Sequence, residues 1–152
     1  MLQSKQKKQM MINKPGDIME KTFAIIKPMA VAENNSGTII DMIESAGFDI
    51  TCMKKITMTQ QQAEELYTEH KEKPFFGEMV ETMTSSPVVV MTLTKENAVK
   101  AWRDLMGATD PAQAEEGTIR ARFGRNISNN AVHGSDALQS SERERGIFFK
   151  TC

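Results

Sequence analysis

The stretch T-F-A-I-I-K-P at residues 22–28 decides the fold of this chain. Residues 22–26 are apolar on both faces and rich in β-forming side chains, which is typical of a central strand that is covered on each side. Lys27 and Pro28 follow at once, and the proline ends the strand because it cannot donate a hydrogen bond to a sheet. The segment therefore predicts a central strand with a lysine at its end.

The segments after this strand alternate between helical and extended patterns. Thr59 and Gln62 form a capping box, which predicts the start of a helix. Thr94 is predicted to cap another helix, and Ser135 or Asp136 to cap the last one. The other predicted elements are a helix over 36–46, a half-buried strand over 50–58, a short helix over 76–83, a buried strand over 88–93, a long loop over 108–130 and a short strand over 131–133.

This order of elements predicts the α+β class, as a ferredoxin-like split β-α-β sandwich. In that fold a four-stranded antiparallel sheet is covered by helices, which we expect on one of its faces. Parallel doubly wound packing is the alternative, because strands and helices alternate along the chain in that architecture too.

Length and charge narrow the range of partners. A chain of 152 residues suits one domain, which we place at residues 19–152 after a flexible tail at 1–18 that is rich in lysine, glutamine and methionine. The net charge of −1 gives no general attraction for nucleic acid or an anionic membrane, so any anion site must be local. The longest apolar run is far shorter than the ~20 residues that span a bilayer.

Cysteine usage bears on the compartment of the protein. Cys52 and Cys152 have neither metal-ligand spacing nor the density of a disulfide-stabilised secreted domain. We therefore expect a reducing, cytoplasmic location.

The two histidines have different sequence surroundings. His70 lies near the end of a predicted helix among charged residues, where a local hydrogen bond is its simplest role. His133 stands in V-H-G-S-D, between a short apolar segment and a helix start. Gly134 leaves space beside the imidazole for a bulky group, and Ser135 places a hydroxyl nearby. These features make His133 the candidate for catalysis, although His-Gly is also a common turn.

A group of cations precedes His133 in a chain that is otherwise slightly acidic. Guanidinium groups bind phosphate oxygens through paired donors, and a lysine adds a compact charge. The alternative is a solvated surface with salt bridges to nearby acids. Neither a P-loop nor a Rossmann glycine motif is present, so phosphate would be held by side chains. The cations are Lys27, Arg103, Arg120, Arg122 and Arg125.

Several separated segments together resemble one family, the nucleoside diphosphate kinases. They lie in the family's order and spacing over roughly residues 19–150. The segments are T-F-A-I-I-K-P (22–28), K-P-F-F (73–76), S-S-P-V-V-V-M (85–91), W-R-D-L-M-G-A-T-D-P-A (102–112), G-T-I-R (117–120) and N-x-x-H-G-S-D (130–136).

The resemblance implies a ping-pong reaction, in which a nucleoside triphosphate phosphorylates a histidine and a nucleoside diphosphate collects the phosphate. His133 matches the nucleophile and Glu144 the carboxylate that orients it, with the Ser135 hydroxyl close by. Lys27 matches the lysine that meets the transferring phosphate, and Tyr67 the phenol that assists it. A neutral imidazole of the right tautomer is nucleophilic near neutral pH, in agreement with these roles.

The resemblance also implies a nucleotide site that stacks on the base without reading its edge. Magnesium would arrive with the nucleotide phosphates, since no carboxylate cluster at metal spacing is visible. The matching residues are Arg103, Thr109 and Arg120 for the phosphates, Asn130 for the sugar and phosphate, and Phe75 and Ile127 for the two sides of the base.

Three positions depart from the usual family pattern: Met29 and Arg122 stand where acidic residues are common, and Ala137 replaces a frequent serine. None is a proposed reacting group.

The family resemblance implies a homo-oligomer, either a tetramer or a hexamer. Two alternatives share the fold or the histidine. One is a ferredoxin-like regulatory module that binds nucleotide without turnover, and the other is a phosphohistidine transferase for sugar or acyl phosphates.

Overall fold

A four-stranded antiparallel sheet is the centre of the computed structural model, which describes residues 19–152. The predicted tail at 1–18 lies outside the described residues. The strands are β1 (Met19–Ile26), β2 (Asp49–Ile56), β3 (Val88–Glu96) and β4 (Val132–Gly134). The helices are α1 (Pro28–Ala32), α2 (Ser36–Ser45), α3 (Gln60–Leu66), α4 (Phe76–Thr84), α5 (Ala98–Met106), α6 (Ile119–Phe123) and α7 (Leu138–Phe148), with short 3₁₀ turns at Thr68–His70 and Pro111–Gln113.

The strand order β2-β3-β1-β4 makes β1 a central strand, as its sequence predicts. Both neighbours of β1 run antiparallel to it, and β2 runs antiparallel to β3. The ferredoxin-like α+β fold is therefore confirmed, and parallel doubly wound packing is excluded.

The alternation of side chains along β1 builds two separate cores. Phe23 and Ile25 point into one core, where they pack with residues of α3, α4 and α7. Ala24 and Ile26 point into the other, which holds residues of α1, α2, α5 and α6. All four of these side chains are fully buried. Helices thus cover both faces of the sheet, and the expectation that they cover only one face was wrong.

Several local predictions are tested by the helix and strand boundaries and by side-chain hydrogen bonds. The capping box of Thr59 and Gln62 is confirmed at the start of α3. Thr94 does not cap a helix, because β3 continues to Glu96. The cap of α7 was also predicted wrongly: this helix begins after Ala137, and the side chain of Ser135 points instead to Glu144.

The segment over 108–130 was predicted as a loop, but it contains α6. The Thr118 hydroxyl accepts a hydrogen bond from the backbone N–H of Ala121 and caps this short helix. Ile119 on α6 is fully buried in the core. Its burial helps to anchor the segment against the sheet. None of the helices within residues 19–152 is both long and apolar enough to cross a membrane.

A disulfide joins Cys52 on β2 to Cys152, with their Cα atoms 6.1 Å apart. The residues around it fasten the same end of the chain, because the backbone carbonyl of Cys152 accepts hydrogen bonds from Arg145 at 3.0 Å and Thr92 at 3.4 Å. The composition of the sequence pointed to a reducing compartment and did not indicate this link.

Reduction of this disulfide is expected to lower the free energy of unfolding by about 2–4 kcal/mol, because the bond closes a long loop in the unfolded chain. Urea unfolding of the oxidised and reduced protein measures the difference. A double variant with Cys52→Ser and Cys152→Ser is the control, and its unfolding midpoint should not respond to reductant. Equal midpoints for the oxidised and reduced wild type would contradict the prediction.

Candidate active site

Pairing between β1 and β4 brings Lys27 close to His133. His133 on β4 lies opposite Ile25 on β1. The backbone N–H of Lys27, directly after β1, donates to the carbonyl of Ala131 at 2.8 Å. A lysine and a histidine that are far apart in sequence are therefore fixed beside each other by the sheet itself.

The His133 ring is held through one of its two nitrogens. Its Nε2 lies 2.7 Å from Oε1 of Glu144, and the Ser135 hydroxyl donates to the same oxygen at 3.0 Å. Since an ionised carboxylate only accepts hydrogen bonds, Nε2 carries the ring proton and Nδ1 carries the lone pair. No hydrogen bond to Nδ1 forms within residues 19–152. Nδ1 is thus the nitrogen that is available as a nucleophile.

Aromatic rings restrict the orientation of the same imidazole. The ring of Tyr67 meets it edge to face, with centroids 5.9 Å apart and an angle of 89°. Phe23 approaches from the core at 6.2 Å. Burial, and next the charge of Glu144, raise the pKa of the Tyr67 phenol, so this hydroxyl stays protonated at neutral pH.

Gly134 is needed for packing next to the histidine. A Cβ at this position would lie 2.5 Å from Cδ1 of Trp102, closer than any real contact. The indole N–H of Trp102 also donates to the carbonyl of His133 at 3.2 Å. The space that Gly134 was expected to leave beside the imidazole is therefore filled by the indole of Trp102. The indole also helps to fix the position of β4.

Lys27 is positioned by an amide that is itself fixed. The ammonium donates to Oδ1 of Asn130 at 2.7 Å, and Nδ2 of Asn130 donates to the carbonyl of Thr109 at 3.1 Å. Burial, and next the charge of Arg120, lower the pKa of Lys27 to about 8. The ammonium is therefore destabilised in the free protein, and a phosphate beside it would relieve that cost.

Arg120 is buried, with only 8% of its surface exposed. Its two terminal nitrogens donate to the carbonyls of Gly107 at 3.1 Å and Val132 at 3.0 Å, while its buried Nε has no partner. Burial, and next the charge of Arg103, lower its pKa to about 10. Within residues 19–152 neither Arg120 nor Lys27 pairs with a carboxylate. Two uncompensated cations in one place favour binding of an anion.

One cleft of about 480 Å³ collects most of the residues predicted for the site. Phe75 and Ile127 are exposed apolar side chains on its lining. Two predicted residues are placed differently: Ser135 lies beneath Glu144, and Arg103 lines a neighbouring recess that shares Thr109 and Arg120 with the cleft. The predicted residues on the cleft are Lys27, Tyr67, Phe75, Thr109, Arg120, Ile127, Asn130, His133 and Glu144.

Two other members of the predicted cation group lie elsewhere. Arg125 pairs with Glu33 on the surface, and Arg122 stacks on the Phe123 ring at 5.1 Å. Both arginines are therefore on the surface, as the alternative supposed, but within residues 19–152 only Arg125 of the two forms a salt bridge, and its partner is Glu33. Of the departures from the family pattern, Arg122 is explained as a surface contact and Ala137 as the residue before α7, but nothing in the structure explains Met29.

His70 and Arg143 are two of the cleft residues that the sequence interpretation did not place in the site. His70 lines the cleft, and its buried Nδ1 has no hydrogen bond, contrary to the local bond expected for it. Arg143 also lines the cleft, directly before Glu144 in sequence. Its position next to a predicted site residue was the only available signal, because its contacts are made to a distant helix.

The sequence of this chain is similar to that of known proteins of one family. The family model described as "Nucleoside diphosphate kinase" matches residues 20–152. A nucleoside diphosphate kinase of Geotalea uraniireducens is 56% identical over 131 residues, covering 86% of this chain and 96% of the relative. One of Trichlorobacter lovleyi is 55% identical over 133 residues, covering 88% and 96%.

Solved structures show the same similarity in three dimensions. The Aquifex aeolicus nucleoside diphosphate kinase superposes with a TM-score of 0.86 at 38% identity, covering 88% of this chain and 96% of that one. The enzyme from Encephalitozoon cuniculi gives 0.83 at 35% identity, with coverage of 85% and 88%. This chain belongs to the nucleoside diphosphate kinase family.

Proposed function

We propose that this chain transfers the terminal phosphate of a nucleoside triphosphate to a nucleoside diphosphate, with His133 as the temporary carrier. The observation that supports this most directly is the pairing of Nε2 with Glu144, which leaves Nδ1 unpaired in a cleft that is also lined by two uncompensated cations. Membership of the family supports the same reaction. A regulatory module that only binds nucleotide would not need a histidine held in one tautomer.

In the first half of the reaction, the Nδ1 lone pair of His133 attacks the terminal phosphorus. A P–N bond forms while the P–O bond to the leaving nucleoside diphosphate breaks. The proton on Nε2 remains there, and Glu144 stabilises the positive charge that the ring acquires. In the second half, a terminal oxygen of the acceptor diphosphate attacks the same phosphorus, and the P–N bond breaks to return the neutral imidazole.

Phosphoryl transfer depends mainly on alignment and on positive charge around the phosphate oxygens. We assign Lys27 to the transferring phosphate, with the protonated phenol of Tyr67 as a second donor. Arg103, Arg120 and Thr109 are assigned to the remaining phosphates. The recess that these three residues share lies next to the cleft, in a position suited to the rest of a phosphate chain.

The sugar and base are assigned to the other end of the cleft. Asn130 already bonds Lys27, and its amide can also serve the sugar and phosphate. Phe75 is 44% exposed and Ile127 61% exposed, although phenylalanine and isoleucine are among the residues most often buried. An exposed apolar pair on one cleft is explained by a flat base that stacks between them.

We propose that Mg²⁺ enters with the nucleotide, held by phosphate oxygens. The carboxylate closest to the reacting histidine, Glu144, already accepts bonds from His133 and Ser135, and so it is poorly suited to bind a metal as well. When bound, the ion would neutralise phosphate charge and orient the phosphate chain. Within the described part of the chain, no group of three or more His, Cys, Asp or Glu residues is arranged for a metal.

The remaining proposals concern assembly and location. We assign the catalytic domain to residues 19–152 and propose a homo-oligomer. Its mass in solution would distinguish a tetramer from a hexamer. Support for association comes from β2, an edge strand on which Met53 is 52% exposed.

We also propose that the enzyme acts in the cytoplasm. There the disulfide between Cys52 and Cys152 would meet reducing thiols.

Labelled ATP is expected to pass its terminal phosphate to GDP, CDP, UDP and dTDP alike. The reason is that Phe75 and Ile127 offer only apolar contact to the base, whereas sharp rejection requires buried hydrogen-bonding groups that face the base edge. The measurement is kcat/KM for each acceptor, and we expect a spread of about tenfold, since stacking differs only modestly between bases.

A matched pair of variants tests the assignment of the base site. Phe75→Ala should raise KM for every acceptor, while Leu138→Ala, which removes another exposed apolar side chain outside the cleft, should not. Failure to form labelled nucleoside triphosphate with any acceptor would refute the proposed function. A thousandfold preference for one base would refute the assignment of Phe75 and Ile127 to the base, but it would not refute the proposed function.

A further inference from the structure

Arg143 connects two helices that each supply a wall of the candidate active site. It lies on α7 and reaches the carboxyl end of α3, where its NH1 donates to the carbonyl of Glu65 at 2.7 Å and its NH2 to that of Leu66 at 3.5 Å. The last carbonyls of a helix lack partners within the helix, and a cation there also complements the helix dipole. Arg143 thus fixes the end of the helix that immediately precedes Tyr67.

The same guanidinium also faces Glu144. Its NH2 lies 3.7 Å from Oε2 of Glu144, whereas Oε1 takes both of the carboxylate's hydrogen bonds, from His133 and Ser135. Glu144 is only 6% exposed, so this attraction is weakly screened. The other carboxylate near Arg143, that of Glu69, is 3.9 Å away and 62% exposed, which makes it the weaker partner.

Through these contacts Arg143 supports both of the groups that orient the imidazole. Glu144 sets the tautomer of His133, and the Tyr67 ring sets its tilt through an edge-to-face contact. Without Arg143, Glu144 would lose the cation at Oε2 and could rotate away from Nε2. The turn that carries Tyr67 would lose its fixed end at the same time.

We propose that Arg143 is a positioning residue, which keeps His133 in the Nε2-protonated tautomer by holding Glu144 and the Tyr67 turn in register. This inference rests on the proposed function, because it concerns the nucleophile assigned there. The rival explanation is a structural staple between α3 and α7 that stabilises the fold and leaves the imidazole unaffected.

The ring nitrogens of histidine provide a readout that a staple would not change. The chain has 2 histidines, so a protein labelled with ¹⁵N-histidine gives two sets of ring signals, and His133→Ala assigns them. The wild type should show His133 protonated at Nε2. Arg143→Met, which keeps an unbranched apolar stem but removes the charge and donors, should shift the signals towards a mixture of tautomers. It should also lower kcat by about tenfold to a hundredfold, as expected for loss of alignment, with KM changed less than kcat.

The control is Arg145→Met, which removes an arginine two positions further along α7 that bonds Ser141 and the Cys152 carbonyl. This variant should keep the wild-type tautomer and kcat. Arg143→Lys restores a charge but cannot reach both partners with a fork, so it should give intermediate values. It also carries the test if Arg143→Met does not fold.

Two results have different meanings. Wild-type ring signals and kcat within twofold of wild type in the Arg143 variants, even with a lowered unfolding temperature, would overturn the inference and leave a staple. The proposed function would survive that result as long as the wild type still forms phosphohistidine. Absence of phosphohistidine in the wild type would instead refute the proposed function.

Discussion

Replacement of His133 by alanine is expected to abolish phosphate exchange between nucleotides. Its Nδ1 is the protein atom that receives the phosphate in the proposed reaction, and an alanine side chain offers no nucleophile in its place. Activity should therefore fall by at least about a millionfold, the scale on which a covalent nucleophile contributes. Exchange of label between ATP and GDP, in a preparation free of host enzyme, measures the loss.

The same variant separates the enzyme from a binding module. Nucleotide binding by His133→Ala should persist, because Lys27, Arg120 and Phe75 remain. Acid-labile label on the protein after incubation with ATP should disappear in this variant and persist in His70→Ala, which removes the other histidine of the cleft. Exchange above a trace in His133→Ala would show that the phosphate does not pass through this ring.

Loss of Lys27 is expected to have the next largest effect. A charge that meets developing negative charge in a dry site is worth ~3 kcal/mol, so Lys27→Ala should lower kcat/KM by about a hundredfold. The control is Lys100→Ala, since Lys100 pairs with Asp104 on the surface and is 80% exposed. Steady-state kinetics of both variants, with ATP and GDP as substrates, give the comparison.

The pKa of Lys27 adds a dependence on pH. Because burial and Arg120 lower this pKa to about 8, the ammonium is charged below about pH 8 and loses its proton above it. The wild-type kcat/KM, which reports on the free enzyme, should therefore decrease above about pH 8. Lys27→Arg should move that decrease to higher pH, since a guanidinium keeps its charge. An unchanged alkaline decrease in Lys27→Arg would assign it to another group.

Replacement of Arg120 should resemble that of Lys27, but with a cost in stability as well. Its two bonds to the carbonyls of Gly107 and Val132 hold the loop to β4, so Arg120→Ala removes structure along with charge. Arg103 lies in the neighbouring recess and carries the same expectation for turnover. If Lys27, Arg103 and Arg120 could all be replaced with only few-fold losses, the cations would be a surface feature.

The sequence predicts the central strand and its position reliably, because residues 22–26 are apolar on both faces. The same pattern requires cover on both sides, and the expectation of helices on one face overlooked this requirement. The capping box at Thr59 could be predicted from two residues because both its hydrogen bonds are local. In contrast, α6 was missed, since a helix of five residues shows almost no periodicity, and it is held by the burial of Ile119 and the tertiary hydrogen bonds of Arg120.

The candidate site could be predicted where a motif carries it, and not where tertiary contacts do. His133 and Lys27 lie in segments that resemble the family, Glu144 follows 11 residues after His133, and the structure brings all three to one cleft. Arg143 and the unpaired Nδ1 of His70 depend on which helix end or ring happens to lie opposite, which no local pattern encodes. The link between Cys52 and Cys152 was hidden for the same reason, since 100 residues separate them.

That link has a consequence for the integrity of the site. Residues 52–152 form one covalent ring when the disulfide is closed, and every residue assigned to the site except Lys27 belongs to it. After a single cut of the backbone in a loop of the ring, such as the loop around Ile127, the disulfide would still join the two fragments. Lys27 lies outside the ring, and its bonds to Asn130 and Ala131 hold it at the site. A single backbone cleavage within residues 52–152 should therefore leave the oxidised enzyme covalently connected, whereas the same cleavage would divide the reduced enzyme into two separable pieces.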